Sequence, residues 1–571
     1  MESPTAEKIV KKYQTLDGNR GTLLSTLQEI CNYLMPHRLN VTTQTTTGSN
    51  QMAQVYDGTA IRALSICANG LYGHLTNPSA PWFMLTVKRK DLAEMAEVKD
   101  WLRDTSERMH DAINVSNWPM AAHEIYTDLP ALGTGVLYLG KIMTRRPKRR
   151  LINFRVFDIG RCVIEEDADG EVDTIIRKET MTVRGAVQAW GDQCSEKIMK
   201  EYEKGNEEKE IDILHAVFPR SDRHPEKWDK VNKPWASYWI ELETKNMLEE
   251  GGYDEFPYMV PRWSKKSSQA YGYGPGLDCL SEIKMINEFS KSDIKVHQKR
   301  SDPPVLVPDE MALYPKRFVP GGVTYFKQGS KPEYMIGPQV GQYELAYENQ
   351  RRDYIMSMFF ADLFTLLAQQ PRAKTATEVM ELVEERLVLL GPTLGRLQSE
   401  LFDQMLSRVF WMMMRGDETG PYLNIPPRIL IGQGLDIMYV SKLAMAMRVF
   451  ETKAVMQSLG FAQSIAQQDP SIMDNFDLDK IARGVSERFG TPTIFMAPDR
   501  VVRDIRAKRA QAQAEAQAKQ DKMMQAEMTA KMTPAMTTAP EPGSPGAQPE
   551  PQPGPQVPAG LMQTVNQGAP Q

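Results

Sequence analysis

AKTATEVMELVEERLVLLGPTLGRLQSELFDQMLSRVF, residues 373–410, carries the clearest periodic signal in the chain. Val379, Leu382, Val383, Leu387, Leu390, Leu394, Leu397, Leu401 and Met405 recur at steps of three and four. That spacing places apolar side chains on one face of an α-helix. Thr375 and Glu378 stand ahead of the run in capping-box spacing. The hydroxyl can accept from a backbone N–H three residues on, and the carboxylate can return the bond. Gly391-Pro392 falls inside the run. Proline removes one helical hydrogen bond and crowds the preceding turn, so a kink is expected there. A long helix with one apolar face must pack against something large.

Upstream of this helix, two further helices flank a proline-rich stretch. YGYGPG (271–276) is a breaker cluster, and Pro275 suits a first helical turn. Leu277, Leu280, Ile283, Ile286 and Phe289 then step by three, and the helix is expected to reach about Arg300. Asp302-Pro303-Pro304 stops it. Residues 303–336 hold short β-branched or aromatic runs between prolines, the pattern of a small strand-and-turn module. A second helix is expected at 339–364, followed by a loop, TLLAQQPRAK.

The first 270 residues read as mixed α and β. Leu23, Leu24, Leu27, Ile30 and Leu34 mark a helix within 5–35, and Ile61, Leu64, Ala68, Leu71 and Leu75 mark another. WFMLTV (82–87) reads as a strand, and 96–115 as a helix. From 151 to 187 the period becomes two, with Asp169-Gly170 between strand-like runs, which is a hairpin signal. The acidic residues 165–169 do not continue into a calcium loop, because the twelfth position is Ile176. More strands are expected at 211–219 and 237–243. Beyond 440 the pattern is helical again. The Ala/Gln-rich run to Lys531 has high helix propensity and little apolar stripe, so it is better supported in an assembly than alone. Residues 532–571 are rich in Pro, Gly and Gln and are expected to be disordered. The fold class is therefore α+β, predominantly helical.

Composition narrows the function. Across 571 residues the net charge is −5, which argues against a surface that grips DNA widely. A conduit through which DNA slides is compatible with it, since each neutralised phosphate strengthens binding. No apolar run is long enough to span a bilayer, and the N-terminus has no signal-like apolar segment. Five widely spaced cysteines form neither a disulfide framework nor a zinc motif. GTGVLYLGK (133–141) lacks the glycine spacing and the hydroxyl of a phosphate loop. His123-Glu124 lacks the second histidine of a metalloprotease. No catalytic residue, metal site or cofactor is expected.

Several segments resemble the bacteriophage head-to-tail connecting proteins, the portal proteins of podoviruses. They are YDGTAIRALSICANGLYG (56–73), LTNPSAPWFMLTV (75–87), YGYGPGLDCLSEIKMIN (271–287), DPPVLVP (302–308), the 373–410 helix and YVSKLAMAMR (439–448). The likeness spans roughly residues 5–510. It implies a portal fold with a wing at 1–274, stem helices at 275–301 and 339–364 and a clip at 302–338. It further implies a tunnel loop at 365–376, a kinked wing helix and following segment at 377–439, a crown at 440–498 and a barrel helix at 499–531. It implies a homo-oligomeric ring of about twelve subunits at one capsid vertex of the virion, made in the host cytoplasm. Double-stranded DNA would be packaged and ejected through it without sequence specificity. The implied partners are the terminase large subunit, a tail adaptor, and the scaffold and major capsid proteins, with no membrane. Within that frame Gln369, Gln370, Arg372 and Lys374 are the expected DNA-facing residues of the tunnel loop. Lys295, Lys299 and Arg300 are the expected channel lining of the stem. The competing readings are an internal core or scaffold protein of the virion and a nucleic-acid enzyme. The first would be a more uniformly helical chain, and the second needs metal-binding carboxylates or a phosphate loop.

Overall fold

Arg20 interrupts the first predicted helix. The chain forms α1 (Pro4–Asn19) and α2 (Gly21–Leu34) on either side of it. Its side chain is buried and donates to the carbonyls of Ile159 (2.7 Å), Cys162 (2.7 Å) and Gly160 (2.6 Å), while Asp17 balances its charge. A buried guanidinium needs such acceptors, and the joint supplies them at the cost of helix continuity. The computed structural model describes residues 4–38, 41, 52, 54–93, 95–141, 152–224, 226–227, 229–301, 305–306, 333–334, 342–368, 389–416, 420–440, 458–465, 475–479, 481–482, 485 and 499–531. These fall into two units, Met1–Thr491 and Pro492–Gln571.

In the first unit α3 (Thr59–Leu75) buries Ala60, Ala63, Leu64, Cys67, Ala68, Leu71 and Leu75, which includes the predicted stripe except Ile61, which is half-buried. The turn at Asn77 leads into β1 (Phe83–Val87). Helices α4 (Lys90–Ala93), α5 (Ala96–Val115) and α6 (Trp118–Leu132) follow. Strands β2 (Val136–Lys141) and β3 (Ile152–Phe157) pair antiparallel. Next comes a five-stranded antiparallel meander in chain order. It comprises β4 (Cys162–Glu166), β5 (Val172–Thr182), β6 (Glu210–Pro219), β7 (Trp235–Glu241) and β8 (Met247–Tyr253). Helices α7 (Val183–Trp190) and α8 (Glu196–Glu203) lie between β5 and β6. The first hairpin turns where predicted. Asp167 Oδ1 accepts from the N–H groups of Asp169 and Glu171, and Gly170 takes φ +82°. β9 (Tyr258–Met259) joins the other edge of β2.

The glycines of YGYGPG have a steric purpose. β10 (Ser264–Lys265) pairs with β11 (Gly272–Tyr273), which holds Gly272; Gly274 precedes α9 (Pro275–Asp278), which holds Gly276. A Cβ on Gly272, Gly274 or Gly276 would meet the backbone carbonyls of Gly133, Pro130 and Ala131 respectively. The segment therefore crosses the C-terminal end of α6 at backbone contact, which only glycine permits. Cys279 then separates α9 from α10 (Leu280–Ser301), so the single helix expected from 275 is in fact two.

Beyond β12 (Val305–Leu306) and β13 (Glu333–Tyr334), which pair with each other, the chain forms α11 (Gln342–Met358) and α12 (Ala361–Ala368). It returns to the N-terminal layers through α13 (389–397), a π-helical turn at Gln398–Asp403 and α14 (Gln404–Arg415). The helix runs unbroken through Pro392. The residues before 389, where a kink ahead of Pro392 would fall, lie outside the described residues. The helical irregularity within the described residues is the π turn. Leu390, Leu394, Leu397, Leu401 and Met405 are all buried, as the stripe predicts. β14 (Leu435–Tyr439) pairs antiparallel with β1, from Phe83↔Tyr439 to Val87↔Leu435.

Arg262 locks this return in place. It is 2% exposed. Its Nη2 donates to Glu400 Oε1 at 2.7 Å, and its backbone N–H donates to Glu400 Oε2 at 2.8 Å. It also pairs with Glu166 and donates to the carbonyl of Gly170 at 3.1 Å. Arg408 makes a second tie, donating to the carbonyls of Leu139 (3.0 Å) and Glu255 (2.7 Å). Removing one member of such a buried network strands the opposite charge. Arg262→Ala is therefore expected to cost about 3–5 kcal/mol. Glu400→Gln, which keeps an acceptor, should cost less. Thermal unfolding of the two variants beside the parent checks the order, and equal midpoints in all three would contradict it.

Candidate functional site

Helices α10 and α11 pack side by side, and α10 carries Lys295, Lys299 and Arg300, the residues expected to line the stem channel. Ile283 and Ile286 of α10 and Ile355 of α11 bury one face of the pair. Across the pair Arg351 bonds Glu282, and Phe289 meets Tyr347 edge-on at 5.9 Å between ring centroids. Lys284 reaches Glu29 of α2 at 2.9 Å.

A polar junction fixes both helices to the start of α3. Asn287, 3% exposed, accepts from the N–H groups of Tyr56 (2.7 Å) and Asp57 (3.3 Å) and donates to the carbonyl of Gln54 (2.8 Å). Asp57 accepts from the N–H of Thr59, from Ser290 and from Arg352 Nε at 3.1 Å. Arg352 also holds Glu348 at 3.2 Å. Burial alone would raise the Asp57 carboxyl. The Thr59 hydrogen bonds and the Arg352 guanidinium outweigh it and hold the group below its ordinary value. Nothing in the sequence pattern pointed to this junction. Its members lie in three separate segments, and each is an ordinary polar residue in its own window.

The basic half of α10 divides. Lys291 is engaged, paired with Glu288 at 3.1 Å and lying over the Tyr56 ring at 5.5 Å. Lys295 is exposed and has no ion-pair partner among the described residues, and His297 beside it is also exposed. Lys299 and Arg300 lie within the same helix, with their side chains outside the described residues. Gln369, Gln370, Arg372 and Lys374 all lie outside the described residues. The start of the expected loop is corrected, because 365–368 are helical and α12 ends at Ala368.

The expected helix 339–364 is also divided. Phe360 adopts φ +55° between α11 and α12. Phe359 and Phe364 on either side are buried. Phe364 fits against α3 at Gly70, where a Cβ would collide with its ring, and stacks on His74 at 6.0 Å. Core anchoring on both flanks compensates the strained backbone at Phe360.

Among the described residues there is no cluster of His, Cys, Asp or Glu that could hold a metal ion, and no helix is long and apolar enough to cross a membrane. All five cysteines are buried and unpaired. The arrangement supplies scaffolding, an interhelical clamp and, among the described residues, one exposed lysine, Lys295.

The family model described as bacteriophage head to tail connecting protein matches residues 6–496. The chain belongs to this family. It is 30% identical over 526 residues to the portal protein of Salmonella phage epsilon15, covering 90% of this chain and 93% of that protein. It is 29% identical over 522 residues to the probable portal protein of Bordetella phage BPP-1, covering 90% and 92%. The connecting-protein family match ends at 496, so the helix Asp499–Lys531 lies beyond it.

The sign of the Asp57 shift gives a test. A carboxyl lowered in the folded state adds stability above its unfolded pKa, and that stability is lost as pH falls through the folded value. Arg352→Ala should lower stability near neutral pH by about 2 kcal/mol. The gap from the parent should close below about pH 4. Urea unfolding across pH measures it, and a pH-independent gap would contradict the assignment.

Proposed function

We propose that this chain is a portal subunit, the virion component that joins head to tail at one capsid vertex of a bacteriophage. The observation that carries the reading is the likeness to portal proteins, which extends over 90% of the chain and at least 92% of each relative. Copies assemble head to tail into a closed ring of about twelve, which requires two different complementary surfaces on each subunit. The stem comprises 275–301 and 339–364, with the clip at 302–338. The pairing of Val305 with Tyr334 and of Leu306 with Glu333 supports a β module between two helices. It also favours this reading over a uniformly helical scaffold. Residues 1–274 and 377–439 form the wing, 440–498 the crown and 499–531 the barrel. The pairing of β1 with β14 supports grouping the wing segments together.

The work of such a ring is mechanical. Double-stranded DNA passes through the channel during packaging and ejection. The terminase large subunit and later a tail adaptor dock at the clip, and scaffold and major capsid proteins surround the wing. The role needs no cofactor and no catalytic group. Channel contacts are few, directed to phosphates and blind to sequence. They come from Lys295, Lys299 and Arg300 on the stem and from Gln369, Gln370, Arg372 and Lys374 in the tunnel loop. A net charge of −5 suits a conduit that must not hold its cargo.

Phage carrying Arg372→Ala with Lys374→Ala should assemble intact portal vertices yet package a different DNA length or retain DNA less well. Pulsed-field sizing of packaged DNA and a nuclease-protection assay read both effects. Unchanged length, retention and yield would remove these residues from the DNA path.

A further inference from the structure

Asp128, in α6, is 4% exposed. Its Oδ2 accepts from Arg38 Nη2 at 3.1 Å, and its Oδ1 has no hydrogen-bond partner among the described residues. A buried carboxylate ordinarily uses both oxygens. Arg38 compensates the charge only in part. The same nitrogen also donates to the carbonyl of Glu124 at 2.9 Å, and the side chain is partly in solvent. Asp158, just before the 3₁₀ turn Ile159–Arg161, and Glu124 on α6 itself both oppose the Asp128 charge. Cys31 faces the carboxyls from α2 and stays a neutral thiol, pushed up to about 12 by burial, Asp158 and Asp128. The other elements packed on α6 offer nothing to relieve it. α3 meets α6 through Tyr72 against His123 and Thr76 against Tyr126, on the opposite arc of the helix. Asp278 of α9 is exposed, and Arg155 of β3 pairs with Glu179. Burial therefore outweighs Arg38 and pushes the Asp128 carboxyl up to about 7. Burial also raises Asp158, against the Gly160 N–H and the charges of Arg161, Arg20 and Arg38. Among the described residues no cluster of metal ligands surrounds the pair, which leaves a proton as the cation that neutralises it.

Arg38 stands where the chain leaves α2, its N–H bonded to the carbonyl of Met35 at 3.0 Å. Three residues on, the Val41 N–H donates to Gln28 Oε1 of α2 at 2.8 Å, and the Val41 side chain lies against Gly160, two residues from Asp158. The segment after α2 is thus tied to α6 by Arg38 and to α2 and the 3₁₀ turn by Val41. We propose that Asp128 and Arg38 form a proton-operated latch: proton uptake by Asp128 frees the Arg38 guanidinium from α6 and loosens the Val41 bond to Gln28, and proton loss closes both. The proton comes from solvent and sits on Oδ1, so the ion pair becomes a weaker bond to a neutral acid. The sign follows from the raised carboxyl. The folded chain takes up a proton between the unfolded value, about 3.9, and the folded one, so Asp128 lowers stability as pH rises through that window. The latch is independent of ring formation and of DNA.

The test uses the full-length chain and amide hydrogen exchange read by mass spectrometry on peptides that contain Arg38 and Val41. Rates are taken from about pH 5 to about pH 9 and corrected for intrinsic exchange. In the parent, protection of these peptides should rise about threefold or more with pH. Its midpoint should lie at about 7. Asp128→Asn should show low protection throughout, with no transition, and in urea unfolding it should gain on the parent as pH rises. Asp158→Asn removes a like charge and should move the midpoint down by about one unit. Parent protection that does not change with pH overturns the latch, as does the same transition in Asp128→Asn. Should Asp128→Asn fail to fold, the Asp158→Asn midpoint decides, and a midpoint equal to the parent's overturns the assignment to Asp128.

Discussion

The ion cluster at Arg262 holds together parts of the chain that nothing local would join. Glu400 meets Arg262 from 138 residues further along, and Glu166 meets it from 96 residues earlier. The guanidinium also bonds the Gly170 carbonyl of the first hairpin. One buried cation thus fixes the hairpin, the segment before β10 and the returning helix relative to each other. A buried charge is tolerated only when its donors are used, and here the network uses them. The β1–β14 pairing and the Arg408 bonds add further ties between the returning segment and the N-terminal half.

Short-range physics made much of this legible in the sequence. The 390–405 stripe, the α3 stripe and the Asp167–Gly170 turn each sit in a window that states its own geometry. The glycines at 272, 274 and 276 announced a break, although their purpose, backbone contact with α6, needed the partner segment to be visible. The joints were not legible. Arg20 reads as one more charged helix residue, and only the carbonyls of Ile159, Gly160 and Cys162 explain the interruption. Phe360 gives no warning of a left-handed conformation, because its cause is the burial of Phe359 and Phe364 on either side. The strand at 435–439 has its partner some 350 positions away.

The expected functional residues divided for a similar reason. Of the residues expected to line the stem channel, Lys295 is exposed. Lys291 on the same helix is instead engaged with Glu288 and the Tyr56 ring. The Asn287–Asp57–Arg352 junction carries no sequence signature at all, yet it sets the position of both helices. Family likeness identified the chain where periodicity alone could not, since two helices flanking a β module are an architecture and not a function.

The central claim is that the chain closes into a ring around DNA. Electron microscopy of the purified full-length protein tests this most directly. The account predicts closed rings of about twelve subunits with an axial hole. Monomers or open filaments under every solution condition would contradict it.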